Sequence, residues 1–396
     1  MADLRTTLGP IELRNPVVIA SSPPTETLEG VIACEEAGAG AVVIKTIADF
    51  DAGRYPLGAR RTYVDERGLW AMSTFRRETF NLDDGVDLVR AASRRLSIPV
   101  IASVGAITMD PSAWVDTCRG VERAGAQMVQ LDLFYVPQPR ASAANLEALR
   151  HLISTLLTEI TIPVVPKLNV DIPAYLARDV LRDLGLEAVF AIDSIRVPPP
   201  IDFVRGGGPA FAAVVNPGEA SLFGQWQKPI TLQYARILAE RLSVSLCVGG
   251  GLDTGYDAAE AIYYGASAAM FATAVIRRGY QAIPKIVRQL DTYLEREGYD
   301  STLSLKDRGA RELHRDESEI RFEDVRAEVD MSTCIMCGRC TTQAFCHDIT
   351  LSGERIEILP ACDGCGHCLS VCPTNPNSLR LVPGRPNEPA DTVPST

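Results

Sequence analysis

Over its first three hundred residues the chain alternates short, wholly apolar runs with longer amphipathic ones. The apolar runs at 17–21, 41–45, 99–104, 128–134, 163–168, 188–194, 245–249 and 268–272 are rich in Val, Ile and Ala and predict strands. Between them, 27–37, 111–124, 145–157, 174–184, 231–241 and 256–264 repeat apolar residues at three- and four-residue spacing and predict helices, with a last one near 281–297. The strands are continuous apolar runs rather than alternating ones, as a parallel sheet covered on both faces requires. Eight such βα units over about 300 residues predict an α/β fold of the (β/α)8 TIM-barrel type. A doubly wound sheet is the rival, but no GxGxxG follows any strand. The stretch after Ser194, with Pro198-Pro199-Pro200 and Gly206-Gly207-Gly208, reads as an active-site loop or lid.

Beyond the barrel, expected over 1–300, residues 301–330 are rich in charge and read as a linker packed on it. A small domain is expected over 331–382. The tail 383–396, rich in Pro, Asn and Asp, is expected to be disordered. In 396 residues, 46% hydrophobic and 22% charged, this is the composition of a soluble globular protein. A net charge of −11 argues against a nucleic-acid-binding surface. No apolar run reaches the length of a membrane span, and the N-terminus lacks a basic-then-apolar leader, so a cytoplasmic protein is expected.

Eight of the eleven cysteines fall between Cys334 and Cys372. They form two runs, Cys334-x2-Cys337-x2-Cys340-x5-Cys346 and Cys362-x2-Cys365-x2-Cys368-x3-Cys372-Pro373. This spacing suits two [4Fe-4S] clusters, in which the fourth cysteine of each run ligates the other cluster. One set is then Cys334, Cys337, Cys340 and Cys372, the other Cys362, Cys365, Cys368 and Cys346. Tandem triplets exceed what tetrahedral zinc needs, and a disulfide framework suits a small secreted chain rather than this one. Five residues precede Cys346 where three are usual, which makes it the least secure ligand. The remaining Cys34, Cys118 and Cys247 lie in apolar stretches and read as packing residues.

Chemistry in a barrel sits at the C-terminal ends of the strands. There the chain carries Ala20 and Ser21, Lys45 and Thr46, Asp132 to Tyr135, Lys167, Asp193 and Ser194, Gly249-Gly250-Gly251, and Ala272 with Thr273. The glycines after strand 7, with the turn after strand 8, can bring backbone N–H groups to a phosphate, or simply make a tight turn. A lysine ending an apolar strand must be paired or functional. A phosphate site and two such lysines suit FMN, with a lysine near the flavin N1/C2 carbonyl. Asp132 and Asp193 read either as substrate contacts or as loop caps. Arg76 and Arg77 read as surface charges rather than an anion site. None of the four histidines, His151, His314, His347 and His367, ends a strand, so no histidine serves the barrel as acid or base.

The strand-end pattern resembles the dihydroorotate dehydrogenase superfamily of FMN barrels over residues 5–382. With the cluster domain it is most similar to the dihydropyrimidine dehydrogenase branch. The matching stretches are Asn15-Pro16 into Ala20-Ser21, Val43-Ile44-Lys45-Thr46, Ile101-Ala102-Ser103, Pro166-Lys167-Leu168, Ala191-Ile192-Asp193-Ser194, Gly249-Gly250-Gly251 with Thr254-Gly255, and Cys365-Gly366-His367-Cys368 through Cys372-Pro373. The resemblance implies a ferredoxin-like 2[4Fe-4S] domain and FMN held by Ala20, Ser21, Lys45, Thr46, Lys167, Gly249, Gly250, Gly251, Ala272 and Thr273. It also implies electrons from a separate NAD(P)H-oxidising flavoprotein or a ferredoxin, and a homodimer.

The departures redirect the expectation. Where the family carries Asn-Leu-Ser-Cys-Pro with a proton-transferring cysteine, this chain reads Asp132-Leu133-Phe134-Tyr135-Val136. Tyr135 becomes the candidate acid, with Lys45 beside it. Family asparagines that bind the pyrimidine ring stand here as Asp132 and Asp193, and an ionised carboxylate only accepts hydrogen bonds. The expected function is an FMN- and iron–sulfur-dependent oxidoreductase that reduces or forms an activated C=C bond. Its substrate is a small nitrogen-containing or cyclic molecule that offers N–H donors or positive charge. The alternatives are a dihydropyrimidine or dihydroorotate dehydrogenase proper, and an electron-transfer subunit with no chemistry of its own.

Overall fold

The interior of the molecule is organised by the two-residue repeat of its strands. In a computed structural model describing residues 2–48, 62–64, 70–73, 82–136, 142–198, 201–202, 208–209, 220–313 and 325–384, eight parallel strands close into a barrel in sequence order. They are β1 (Val17–Ile19), β2 (Ala41–Ala48), β3 (Val100–Gly105), β4 (Met128–Asp132), β5 (Val164–Leu168), β6 (Ala188–Ala191), β7 (Ser245–Gly249) and β8 (Ala268–Phe271). All eight lie on the apolar runs. Successive side chains point to opposite faces. Val18, Val43, Ile101, Met128, Val165, Phe190, Cys247 and Met270 therefore share one inner core. Their neighbours Val17, Val42, Ala102, Val129, Val164, Val189, Leu246 and Ala269 pack with the surrounding helices. Cys34, Cys118 and Cys247 are fully buried in these cores.

The helices are α1 (Leu28–Glu36), α2 (Leu82–Arg95), α3 (Ser112–Ala124), α4 (Ala143–Glu159), α5 (Ala174–Leu181), α6 (Lys228–Ala239), α7 (Gly255–Tyr263), α8 (Thr273–Arg278), α9 (Ala282–Glu297) and α10 (Thr302–Leu313). Helix α2 is absent from the expected set, yet its ends complement the helix dipole, with Asp83 and Asp84 in the first turn and Arg94 and Arg95 in the last. A hairpin of Thr6–Leu8 and Ile11–Leu13 precedes β1. Its Leu8, Ile11 and Leu13 join the inner core and floor the barrel. Of the charged stretch 301–330, residues 302–313 form α10 within the first compact unit, which runs to His314. None of the helices among the described residues is long and apolar enough to cross a membrane.

Two departures shape the barrel mouth. Strand β2 continues past Lys45 to Ala48, and its pairing with β3 shifts register between Ile44 and Ile47. Such a bulge re-aims side chains locally, here at Lys45 and Thr46. The loops after β2 and β6 also build a four-stranded antiparallel sheet, ordered Ile195–Val197, Ala220–Gly224, Trp70–Ser73, Thr62–Val64. The expected lid after Ser194 thus begins and ends in paired strands. Arg76, Arg77, Pro199, Pro200, Gly206, Gly207, His314 and the linker charges Arg315, Asp316 and Glu317 lie outside the described residues, as does the tail from 385.

The second compact unit is Arg315–Thr396. Val325–Val329 pairs antiparallel with Leu379–Pro383, and Ile349–Ser352 with Arg355–Ile358. Two one-turn helices, Arg339–Thr342 and His367–Val371, each start after a left-handed glycine, Gly338 and Gly366. The unit's buried core is small: Ala327, Cys340, Ala344, Ile349, Ile356, Cys368 and Leu379, with Cys334, Cys346, Cys362 and Cys372 packed against it.

Within the barrel unit, Trp114 of α3 is fully buried, and its indole N–H donates to the Thr108 carbonyl at 2.8 Å. Trp114→Ala leaves a cavity and an orphaned carbonyl, and should cost about 3–5 kcal/mol, read as a lower urea midpoint.

Candidate active site

Along the inner face, each of three adjacent strands turns from apolar to polar toward its C-terminal end. On β3 the inward column runs Ile101, Ser103, Gly105; on β4, Met128, Gln130, Asp132; past β5, Val165, Lys167, Asn169. Ser103, Gln130, Asp132, Lys167 and Asn169 are all buried. A polar group taken from water needs a partner, and these residues largely supply one another.

Two networks result. In the first, the Lys167 ammonium lies 2.8 Å from Asp193 Oδ2, with side-chain exposures of 7% and 16%. The backbone N–H of Ser194 donates to Asp193 Oδ1 at 2.6 Å, and the Ser194 hydroxyl donates to the same oxygen at 3.1 Å. Ser221, from the mouth sheet, donates to Ser194 Oγ at 2.6 Å. Gln227 Nε2 donates to the Asp193 carbonyl. In the second, Thr46 Oγ1 lies 2.6 Å from Asp132 Oδ2 and 2.9 Å from both Ser21 Oγ and Ser103 Oγ. The Thr46 backbone N–H donates to Ser21 Oγ at 2.9 Å, and Gln130 Nε2 to Ser103 Oγ at 2.7 Å.

Tyr135 sits in a one-turn helix, Leu133–Tyr135, that Asp132 caps by accepting from the Phe134 N–H at 3.2 Å. Its ring is buried and its hydroxyl lies 3.4 Å from Lys45 Nζ. Arg196 fixes this turn from the mouth sheet. It pairs with Asp171, donates to the Val136 carbonyl at 3.2 Å and stacks its guanidinium 5.7 Å from the Phe134 ring centre.

The carboxyl groups of the two aspartates are shifted in opposite directions. Burial pushes the Asp132 carboxyl up, and the nearby Asp193 carboxylate adds to this. Lys167, the Thr46 hydroxyl and Lys45 oppose them, and Asp132 stands at about 6. Burial also works against an ionised Asp193, but the Lys167 ammonium and the Ser194 donors outweigh it and hold Asp193 below the usual carboxylate range. Burial disfavours the Lys167 ammonium too, and Asp193 with Asp132 more than restores it. Asp132 thus exchanges its proton just below neutrality, at about 6, and is an acceptor-only group only above that.

Gly250 and Gly251 follow β7 with φ of 103° and 84°. A Cβ on Gly251 would stand 2.4 Å from the Lys228 backbone nitrogen and 2.9 Å from the Gly224 carbonyl oxygen. Only glycine fits this turn, and Ala272 and Thr273 open α8 after the adjoining β8. Among the described residues, Gln130 Oε1, Asn169 Nδ2 and Gln227 Oε1 are buried without a hydrogen-bond partner. Unpaired buried amides together with a glycine cradle fit a polar, phosphorylated group such as FMN.

The structure thus brings Ser21, Lys45, Thr46, Asp132 and Tyr135 into contact, and Lys167, Asp193 and Ser194 likewise. Sequence reasoning assigns no role to Gln130, Asn169, Ser221, Gln227 or Arg196, and names Ser103 only within a matching stretch. Ser103 and Gln130 had a sequence signal, as polar residues on the inward column of apolar strands. Ser221, Gln227 and Arg196 had none, because long-range pairing of the mouth sheet brings them in.

In the second unit, Cys340 has Cys334, Cys337 and Cys372 as charge neighbours, and all four line one small cavity with Pro373. Cys368 has Cys362, Cys365 and Cys346. The Ala327 N–H donates to Cys362 Sγ and the Asp348 N–H to Cys346 Sγ, each at 3.4 Å, and Thr374 Oγ1 lies 3.1 Å from Cys372 Sγ. Among the described residues, no three Cys, His, Asp or Glu converge tightly enough to chelate a single ion.

A family model described as dihydroorotate dehydrogenase matches residues 83–294, over half of the chain. The PreA subunit of NAD-dependent dihydropyrimidine dehydrogenase from Escherichia coli strain K12 is 25% identical over 363 residues, covering 87% of this chain and 85% of its own length. The catalytic subunit of dihydroorotate dehydrogenase B (NAD⁺) from Thermoplasma acidophilum is 25% identical over 307 residues, 76% of this chain and 97% of its own. Dihydroorotate dehydrogenase A (fumarate) of Lactococcus lactis is 25% identical over 312 residues, 75% of this chain and 96% of its own.

Lys167→Met tests the ion pair. Removing one partner of a buried pair should cost about 3–5 kcal/mol at neutral pH. Wild-type Asp193, with a lowered folded pKa, contributes stability above its unfolded pKa that is lost as pH falls through the folded one. Without Lys167, burial places the folded pKa above the unfolded one. The variant's urea midpoint should then fall further below wild type as pH rises from 4 to 8, and adding Asp193→Asn should remove that trend.

Proposed function

The chain belongs to the dihydroorotate dehydrogenase family and is a flavin-dependent oxidoreductase acting on CH–CH groups. We propose that it reduces, or forms, an activated C=C bond in a small nitrogen-containing ring, with electrons passing through two [4Fe-4S] clusters held by its C-terminal unit. The observation that carries this reading is the sorting of eight cysteines into two fours, each completed by the fourth cysteine of the other run. A cubane carries its irons at separate corners, so its ligands need not converge as they would on one ion. N–H and O–H donors on the sulfurs suit thiolate ligands. The match to the PreA subunit reaches further along this chain than those to the two dihydroorotate enzymes, which supports the dihydropyrimidine branch and a ferredoxin-like second domain.

Bound FMN supplies hydride chemistry and bound clusters supply single-electron transfer. Ala20, Ser21, Lys45 and Lys167 would border the flavin ring, with the fully buried Thr46 behind them. Gly249, Gly250, Gly251, Ala272 and Thr273 would receive the phosphate. Lys167 sets a positive charge beside the ring site, and Asp193 stays ionised to accept N–H donors from substrate. Tyr135, whose hydroxyl lies 3.4 Å from Lys45 Nζ, would donate or accept the proton of the neighbouring carbon. Electrons would come from a separate NAD(P)H-oxidising flavoprotein or a ferredoxin, and the active form would be a homodimer.

Protein purified without oxygen should be brown and contain FMN and about eight irons per chain. Cys372→Ser should lower the iron count selectively. Colourless protein without flavin or iron overturns the reading. Stripping iron should also loosen the small cysteine-lined core, so amide exchange should rise across 325–384 while the barrel strands stay protected. Tyr135→Phe should lower turnover by about 10²–10⁴-fold, assayed with reduced enzyme and uracil, thymine or orotate as electron acceptors.

A further inference from the structure

We propose that Asp132, Thr46 and Ser21 form a proton relay that connects a buried carboxylic acid to the barrel mouth. The inference rests on the reading of that mouth as the reacting site, and it assigns a second proton source beside Tyr135.

The geometry restricts the hydrogens. Thr46 is fully buried, and its hydroxyl, with one hydrogen and two lone pairs, faces three oxygens at 2.6–2.9 Å. When Asp132 is ionised, Thr46 donates to Asp132 Oδ2 and both serine hydroxyls donate to Thr46. When Asp132 is protonated, its O–H donates to Thr46, and Thr46 must turn its own hydrogen to Ser21 or Ser103. Ser103 is a dead end, because it is fully buried and already accepts from Gln130. Ser21 is half-buried at the mouth and is the outlet.

The step balances. The Asp132 O–H proton passes to Thr46 Oγ1, the Thr46 proton to Ser21 Oγ, and the Ser21 proton to a basic atom of the bound substrate, an enolate or amide anion. Each hydroxyl ends with one hydrogen, and Asp132 ends as a carboxylate. After product leaves, a proton from solvent enters at Ser21, and the shift run in reverse through Thr46 recharges Asp132. The groups that tune Asp132 come from several elements around it: Lys45 and the Thr46 hydroxyl from β2, Lys167 from β5 and Asp193 after β6, while its neighbour β3 presents the uncharged Gly105 and Ser103. Asp193 is itself paired with Lys167, so it stays ionised while Asp132 holds the exchangeable proton.

Infrared spectroscopy of the anaerobically purified holoenzyme tests this without any substrate. A protonated-carboxyl band should disappear with a midpoint at about 6 and be missing from Asp132→Asn. On rapid mixing into D2O, the shift of that band reports proton exchange. Thr46→Val should slow it by about tenfold or more, the scale of one hydrogen bond lost from a buried chain, whereas Thr46→Ser should exchange at the wild-type rate. No titrating band removed by Asp132→Asn, or equal exchange in wild type and Thr46→Val, overturns the relay. Failure to turn over CH–CH substrates would sink the redox reading and leave these bands to decide the relay by themselves.

Discussion

A lysine and an aspartate 2.8 Å apart, both almost out of water, set the charge state of the barrel mouth. Such a pair is costly, because two desolvated ions must regain by mutual attraction and hydrogen bonds what they lose in hydration. Here Ser194 and Lys167 together satisfy Asp193, and Ser221 and Gln227 hold the segment in place. Once Asp193 is ionised, a second buried carboxyl in its field cannot ionise cheaply. Asp132 is that carboxyl. Two aspartates of the same chemical kind are thereby driven apart, one fixed as an anion and one poised to exchange a proton. Pairs separated in this way mark acid and base roles in enzymes.

Much of this is legible in the chain. The eight strands are continuous apolar runs, because both faces of a parallel barrel are covered, and each run forms its strand. Lys45, Asp132, Lys167 and Asp193 stand out because each is a charged residue at or within two positions of the end of such a run. What escapes is of two kinds. Helix α2 has a weak apolar face, with only Gly85, Val89 and Ala92 buried, so its charged ends are the stronger cue. The mouth sheet pairs residues more than a hundred positions apart, such as Trp70 with Gly224, and no local pattern encodes that. The ionisation of Asp132 is also hidden, since burial and the approach of Asp193 belong to the fold rather than to the residue.

The C-terminal unit shows the complementary logic. Among the described residues its buried core has seven members, two of them cysteines, with four more cysteines packed around it. Domains of this size bury little apolar surface, are marginally stable by themselves and often lean on metals or disulfides. Cysteines at the centre, and glycines that start each short helix in a left-handed turn, make sense if inorganic sulfide and iron complete the interior. Cysteine spacing alone makes the proposed ligand sets legible, because it would encode a local chelate rather than a long-range contact.

In the proposed relay protons would move through hydroxyls rather than through a histidine, and the advantage is electrostatic. Lys45 and Lys167 already bring two positive charges to the strand ends, and an imidazole that charged during turnover would add a third beside them. A hydroxyl chain reverses its polarity by rotation alone and carries no net charge in either state. Thr46 can therefore lie fully buried between Asp132 and Ser21, where an ionising group would bear a desolvation cost. The bulge in β2 is what makes this possible. An uninterrupted strand alternates faces, so Lys45 and Thr46 would point to opposite sides. With the register shifted, Lys45 reaches Tyr135 and Thr46 reaches Asp132 from adjacent positions on a single strand.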